Sequence, residues 1–320
     1  MISVIIPCYN QSVYLHDALD SLLLQSYKNW EGIIVDDGST DGTEKVATSF
    51  CEKDSRFHYY KKRNGGLSNA RNFGITKSIG DYIQFLDSDD LLQAEKLSVH
   101  IQYLVANPNI DIAYGDAEFF FDDDLTNKYR DREGLHQVDR MSETSVIEYE
   151  SKPMDLSHLI IWNIWVISAP LVRRKTIEAT GFFDESLSSL EDWNYWFRCA
   201  VNKVYVKYIS GPETATLIRV HKASMMANQM TMLENELQIR KRIMDKMKGT
   251  DLYTVAKEFY KRSRRKVAAA AVATAKKGRI FSAFKVVGKH GLFFSSIRYF
   301  YAAVRHRIVS RGGTSSLDTF

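Results

Sequence analysis

The chain has 320 residues, 45% of them apolar and 12% aromatic, with a net charge of +4. That is enough for one large domain with an appendage, or for two domains, and it excludes a disordered chain. Three cysteines, Cys8, Cys51 and Cys199, stand far apart and odd in number, which excludes a disulfide framework and points to a reducing compartment.

The charge is unevenly spread. Met1 to Leu233 carries 23 Lys and Arg against 33 Asp and Glu, or −10, whereas Glu234 to Phe320 carries 20 against 6, or +14. An acidic body with a basic tail implies that the tail meets an anionic surface. No nucleic-acid reader motif is present, so a membrane is the expected surface and nucleic acid is not. The opening Met1–Pro7 lacks the basic flank and long apolar core of a signal peptide. No apolar run reaches the ~18 residues of a spanning helix; Leu159 to Val172 is short and contains Asn163 and Pro170.

In chain order, Ser3 to Pro7 reads as a strand, broken by Pro7-Cys8-Tyr9-Asn10. Helical spacing predicts a helix over Val13 to Gln25, with Ser12 as its cap. Trp30 to Val35 is a strand ending in Asp36-Asp37-Gly38-Ser39. A helix follows over Thr43 to Cys51, then a strand over Phe57 to Tyr60 and the loop Asn64-Gly65-Gly66. Leu67 to Ser78 is a helix, and the strand Tyr82 to Leu86 ends in Asp87-Ser88-Asp89-Asp90. The next helix is expected over Leu91 to Ala106, capped by Asp90. Strands follow at Ile110 to Tyr114 and Ala117 to Phe121. Asp122 to Glu150 reads as a polar, lid-like excursion in which Asp122-Asp123-Asp124 is a solvated loop. Leu171 to Ala179 reads as a short helix and Glu191 to Val201 as another. Val204 to Tyr208 and Ala215 to Val220 are strands. Beyond Asn228 the pattern is helical only: Met232 to Met247, Tyr253 to Lys276, Phe281 to Val287 and Phe293 to Val304.

Strand–helix alternation predicts an α/β fold with a mainly parallel sheet and helices on both faces. Ligands bind such sheets beyond the carboxyl ends of the strands. All four early strand ends carry polar or acidic clusters. Carboxylates as close as Asp87, Asp89 and Asp90 repel one another unless a cation sits among them. A divalent ion held by one or two carboxylates, its shell completed by phosphate oxygens and water, fits that pattern. Asp36-Asp37 suits hydrogen bonds to a ribose or a nucleobase, Tyr9 suits base stacking, and Arg71 suits phosphate.

These residues resemble glycosyltransferase family 2, of the GT-A fold. The resemblance rests on Val4-Ile5-Ile6-Pro7-Cys8-Tyr9-Asn10, Asp36-Asp37-Gly38-Ser39-Thr40-Asp41, Asn64-Gly65-Gly66, Ala70-Arg71-Asn72-x-Gly74 and Asp87-Ser88-Asp89-Asp90. Gly181-Phe182-Phe183-Asp184-Glu185, Glu191-Asp192-Trp193-Asn194-Tyr195-Trp196 and Arg219-Val220-His221 continue it. It implies a Rossmann-like catalytic domain over 1–225, with a nucleotide-sugar half, 1–114, and an acceptor half, 115–225. A basic helical region fills 226–320. It implies that Pro7, Tyr9, Asn10 and Asp37 meet the nucleotide, with Asp36 in support. Arg71 is expected near the base or phosphates, Asp87 near the ribose and Ser88 beside them. Asp89 and His221 would bind Mn²⁺ or Mg²⁺. Asp192 would be the general base of an inverting transfer from a nucleoside-diphosphate sugar, UDP-linked, with Glu191 and Trp193 on the acceptor side. The acceptor would be a surface glycan or a lipid-linked oligosaccharide, reached at the cytoplasmic face of a membrane.

Each assignment has a plain structural counterpart. Glu191-Asp192 also suits a helix N-terminus, His221 a structural histidine, and Trp193 and Trp196 the core. The tail aromatics Phe281, Phe284, Val287, Phe293, Phe294, Ile297, Tyr299 and Phe300 suit an anionic lipid surface or packing within the protein. A nucleotidyltransferase making sugar nucleotides would need a glycine-rich, arginine-bearing loop after the first strand, where this chain has Pro7-Cys8-Tyr9-Asn10. A non-catalytic nucleotide-sugar binder would show a broken metal or base position, whereas Asp87, Asp89 and Asp192 are all present.

Overall fold

The computed structural model describes residues 1–121, 124–128, 152–221, 229–277 and 279–292. The chain divides into two compact units, Met1–Ala227 and Asn228–Phe320.

The first unit is built on an eight-stranded sheet in the order β3-β2-β1-β4-β10-β6-β11-β9. Its strands are β1 (Ile2–Cys8), β2 (Trp30–Asp36), β3 (Phe57–Lys61), β4 (Tyr82–Phe85), β6 (Ile112–Tyr114), β9 (Lys152–Pro153), β10 (Pro170–Arg173) and β11 (Tyr205–Tyr208). β1 pairs in parallel with β2 and β4, β2 with β3, and β6 with β11. β10 runs antiparallel between β4 and β6, and β9 antiparallel to β11. Four short strands form a second sheet, β5-β12-β7-β8: β5 (Leu91–Leu92), β7 (Ala117–Phe121), β8 (Asp124–Lys128) and β12 (Thr216–Val220).

Side chains alternate across a strand, and β1 serves both faces of the sheet. Ile2, Val4 and Ile6 pack with residues of α1 (Ser12–Leu23), α2 (Thr43–Lys53) and α4 (Lys96–Ala106). On the opposite face, Ile33, Val35 and Ala70 cluster under α3 (Leu67–Lys77). The helix approaches so closely that a Cβ at Gly74 would overlap the Ile5 side chain. Buried on both faces, β1 and β2 have no exposed residue, as a covered parallel sheet requires. Among the described residues the unit has three further helices, α5 (Leu156–Ile161), α6 (Arg174–Thr180) and α7 (Glu191–Val201).

Three local expectations are corrected. Ser12 is the first residue of α1 and does not cap it; Gln11 holds the cap position without a side-chain bond. The Ser12 N–H is taken instead by the Asp41 carboxylate, at 3.0 Å, from the neighbouring loop. The segment after Asp90 forms β5 before α4 begins at Lys96, so Asp90 caps no helix. Leu171 and Val172 belong to a strand, not a helix; both are fully buried between β4 and β6. Of the expected excursion, Asp124–Lys128 forms β8 against β7; Asp122, Asp123 and residues 129–151 lie outside the described residues.

The second unit contains α8 (Gln229–Lys246), α9 (Tyr253–Lys276) and α10 (Ile280–Lys289). Leu237, Val267, Ala271, Val272, Ala283, Val287 and Leu292 make its core. Val287 therefore packs inside and is not available to a surface. Phe293, Phe294, Ile297, Tyr299 and Phe300 lie outside the described residues. No helix among the described residues is long and apolar enough to cross a membrane.

Candidate active site

The site is built where the first four parallel strands end. β1 stops at Cys8, and Asn10 takes a left-handed conformation with φ 53°, which asparagine tolerates better than most residues. Its carboxamide oxygen accepts the Thr40 N–H at 2.8 Å, and its own N–H donates to Ser39 Oγ at 2.9 Å. The loops after β1 and β2 are thus stitched together. Pro7 is buried in the strand and Tyr9 is 50% exposed, so of the first cluster Tyr9 is free to meet a ligand.

Asp36 is buried and holds the turn, accepting Ser39 N–H and the Tyr59 hydroxyl, each at 2.7 Å. Asp37 builds the third loop. Its carboxylate accepts Gly65 N–H at 2.9 Å, Gly66 N–H at 2.7 Å and the Lys62 ammonium at 2.5 Å. Gly66 needs its glycine, at φ 89°, because L side chains rarely adopt that region. The Gly65 N–H also reaches the second oxygen at 3.2 Å, so the Asp37 carboxylate, with about four acceptor sites, is engaged in holding this loop.

β4 ends in the acidic run. Asp89 Oδ2 lies 3.0 Å from His221 Nε2. The encounter follows from the second sheet: β5 pairs antiparallel with β12, Leu91 opposite Leu217. As β12 runs on to Arg219 and His221, β5 leads back to Asp90 and Asp89. Asp90 accepts Ser168 Oγ at 2.9 Å and the Arg219 N–H at 3.2 Å. Arg219 Nε donates to the Asp89 carbonyl at 3.0 Å, and its guanidinium reaches Asp17 at 2.7 Å. Burial, then the Asp89 and Asp87 charges, push the Asp90 carboxyl well above the ordinary carboxylate range. Ser88 is buried beside it.

Arg71 is 1% exposed. It was expected near base or phosphates; instead its guanidinium is spent within the protein, donating to Asp87 at 2.6 Å and to Glu191. Glu191, expected on the acceptor side, is buried as the other end of this bridge. Trp193, also expected there, is 3% exposed and donates its indole N–H to the Leu159 carbonyl at 2.7 Å. Such a residue has no face to offer a sugar, and Trp196 is fully buried likewise.

Asp192 is held differently. Oδ1 accepts the Trp193 N–H at 2.7 Å and Oδ2 accepts Asn163 Nδ2 at 2.8 Å. Burial, followed by the Glu191 charge, raises its pKa from 3.8 to about 7. A carboxylate near neutrality is suited to take a proton at physiological pH. Sequence reasoning missed Ser168, Asn163 and Asp17. The one available signal was Asn163, a lone amide inside an apolar run.

Among the described residues, no group of three or more His, Cys, Asp or Glu side chains is gathered as for a closed metal cage. The donor chemistry nonetheless fits a hard cation of open coordination. One carboxylate oxygen and one imidazole nitrogen face each other at hydrogen-bonding distance, with Asp87 and Asp90 close to Asp89 in the chain and bonded to Arg71, Ser168 and Arg219. The charge that lifts the Asp90 pKa is what a cation would offset.

The mainly parallel sheet, with carboxylate-bearing loops at its strand ends and helices on both faces, has the architecture of the GT-A fold. The sequence model of Glycosyl transferase family 2 matches residues 3–165, and the chain belongs to that family. An uncharacterized glycosyltransferase of Rickettsia typhi is 32% identical over 246 residues, covering 73% of this chain and 68% of its own. One from Rickettsia felis is 46% identical over 106 residues, where this chain spans 17% of the relative's length. The putative teichuronic acid biosynthesis glycosyltransferase TuaG of Bacillus subtilis is 41% identical over 106 residues, 33% of this chain and 42% of its own. Among solved structures, S. aureus TarS 1-349 in complex with UDP-GlcNAc is similar with a TM-score of 0.61 at 20% identity, covering 81% of this chain and 70% of that one. The Pyrobaculum calidifontis mannosyltransferase PcManGT, in complex with GDP-Man and Mn²⁺, also gives 0.61, at 18% identity, covering 97% and 88%.

Proposed function

We propose that this chain is an inverting glycosyltransferase that moves a sugar from a UDP-sugar to a hydroxyl of a glycan or lipid-linked acceptor in surface polysaccharide synthesis. One observation carries the reading. The strand-end carboxylates and the Asp192 carboxylate stand at the two ends of one buried bridge, Asp87–Arg71–Glu191, with Asp192 next in the chain. Tyr9 and the loop ordered by Asp37 receive the base, and Asp87 faces the ribose. Asp89 and His221 would hold Mn²⁺ or Mg²⁺, whose chemistry there is to neutralise charge on the leaving diphosphate. Asp192 takes the proton of the acceptor hydroxyl as that oxygen bonds to the anomeric carbon. The bond to the diphosphate oxygen breaks on the opposite face, which inverts the centre. The relatives' names support polysaccharide synthesis and TarS supports a UDP-sugar donor.

A thermal-shift screen of nucleotide sugars, with and without Mn²⁺, tests the donor half. UDP-sugars with Mn²⁺ are expected to raise the melting point most, since saturation to 100 times Kd stabilises by about 2.7 kcal/mol. Asp89→Ala is expected to abolish the Mn²⁺-dependent part of the shift. No shift with any nucleotide sugar would overturn the reading.

The second unit suggests where the acceptor is met. Phe281 is 92% exposed on α10, whose opposite side buries Ala283 and Val287. Exposed bases flank it at Lys277, Arg279 and Lys285. An exposed ring among cations suits a bilayer surface with anionic headgroups, and we place this unit at the cytoplasmic face of a membrane. Co-sedimentation with phosphatidylglycerol-containing vesicles, but not with phosphatidylcholine alone, is expected, and it weakens in Phe281→Ser. Equal pelleting with both vesicle types would sink the placement.

A further inference from the structure

We propose that Asn163 is a positioning residue that aims the Asp192 carboxylate at the acceptor. The inference rests on the assignment of Asp192 as the base.

The first turn of α7 is held from three directions. Leu190, just before it, adopts a left-handed conformation, φ 58° and ψ 22°, which is unfavourable for an L-residue other than glycine or asparagine. A strain of this kind persists only where surrounding contacts enforce it. Glu191 is fixed by Arg71 of α3. The stretch around the end of α5 supplies the third hold, twice over. The Leu159 carbonyl accepts the Trp193 indole N–H at 2.7 Å, and Asn163 donates to Asp192 Oδ2 at 2.8 Å. Only the last of these reaches the reacting carboxylate itself. Its other oxygen is already fixed by the Trp193 N–H of its own helix. The two donors therefore set the plane of the carboxylate as well as its position.

Asn163 is chosen for its N–H. Its own Oδ1 is buried and has no hydrogen-bond partner, an arrangement that costs the desolvation of that atom. A side chain present only to fill space would not carry that orphan oxygen. Turned the other way, the amide would bring Oδ1 against the Asp192 oxygen, which an ionised carboxylate repels. With both of its oxygens accepting N–H bonds, Asp192 has two contacts that favour the ionised form, the form a base needs. The amide also opposes the upward pull of burial on Asp192.

The experiment compares UDP release in the wild type, Asn163→Ala, Asn163→Ser and Asp192→Asn, with whichever UDP-sugar raises the melting point most. Asn163→Ala is expected to lower kcat by up to about 100-fold through misplacement of the base, with the donor KM unchanged. The acid limb of its pH profile moves to higher pH. Asn163→Ser, with a short hydroxyl donor, is expected to fall between Ala and wild type. Full activity in Asn163→Ala, or reduced kcat with an unmoved acid limb, overturns the positioning role. Full activity in Asp192→Asn overturns the base assignment beneath it. Loss in Asp192→Asn with none in Asn163→Ala overturns the inference alone.

Discussion

Asp192→Asn is expected to lower kcat by about 10²–10⁴-fold, the range that removal of a positioned base commonly gives, with UDP binding retained. The amide keeps the shape of the carboxylate, so the helix N-terminus stays in place, but it cannot accept the acceptor's proton. The wild-type pH profile is expected to carry the same signature. With its pKa raised from 3.8 to about 7, Asp192 is protonated below neutrality, and kcat/KM falls on the acid side of about pH 7. Stability runs the opposite way. The folded state holds this proton more tightly than the unfolded chain, so stability declines as pH rises from about 4 to about 7. The Asn variant escapes that decline. It is expected to melt higher than wild type at pH 8 and to lose this advantage below about pH 4. A pH-independent wild-type rate between pH 5 and 9 would remove Asp192 from the mechanism.

Arg71→Met is expected to destabilise the first unit by about 3–5 kcal/mol, the range for removing one member of a buried ion pair. The guanidinium is 1% exposed and bonds to two carboxylates from elements far apart in sequence, Asp87 after β4 and Glu191 on α7. Without it Glu191, at 4% exposure, is a buried charge with no counterion. Arg71→Lys recovers only part of the loss, because an ammonium lacks the planar fork that reaches both partners. Arg71→Met with Glu191→Gln recovers more, because it removes the stranded charge. Urea midpoints at pH 7.5 check all three. A loss below about 1 kcal/mol in Arg71→Met would mean that the bridge is exposed enough for water to replace it.

The sequence was most legible where elements are long or punctuated. The spans of β1 to β4 and of α7 and α9 follow from apolar runs closed by Asn, Asp and Gly clusters, or from sustained helical spacing. β5 has two residues and β10 four, too few for any periodicity to register. Their absence from the expectation put Leu171 in a helix and made Asp90 a cap. The gathering of strand-end clusters was readable because a parallel sheet sends every carboxyl end to the same edge. The partners of those clusters were not. Arg71 and Glu191 are 120 residues apart, and nothing local in either indicates that a buried bridge consumes both. For the same reason Trp193 drew attention as an aromatic beside a carboxylate, when its indole N–H already had a backbone partner.

The place of β10 in the sheet bears on how the chain comes to be made. β4 ends at Phe85, yet its outer neighbour begins only at Pro170. During synthesis, the edge of β4 stands open while some 85 further residues are added. An unpaired strand edge is a template for association with other chains. The delay reaches the strand-end cluster as well, since His221, which faces Asp89, emerges after every strand of the sheet. The first strands of the unit are therefore made with an open flank, and closing that flank waits on residues added late in synthesis.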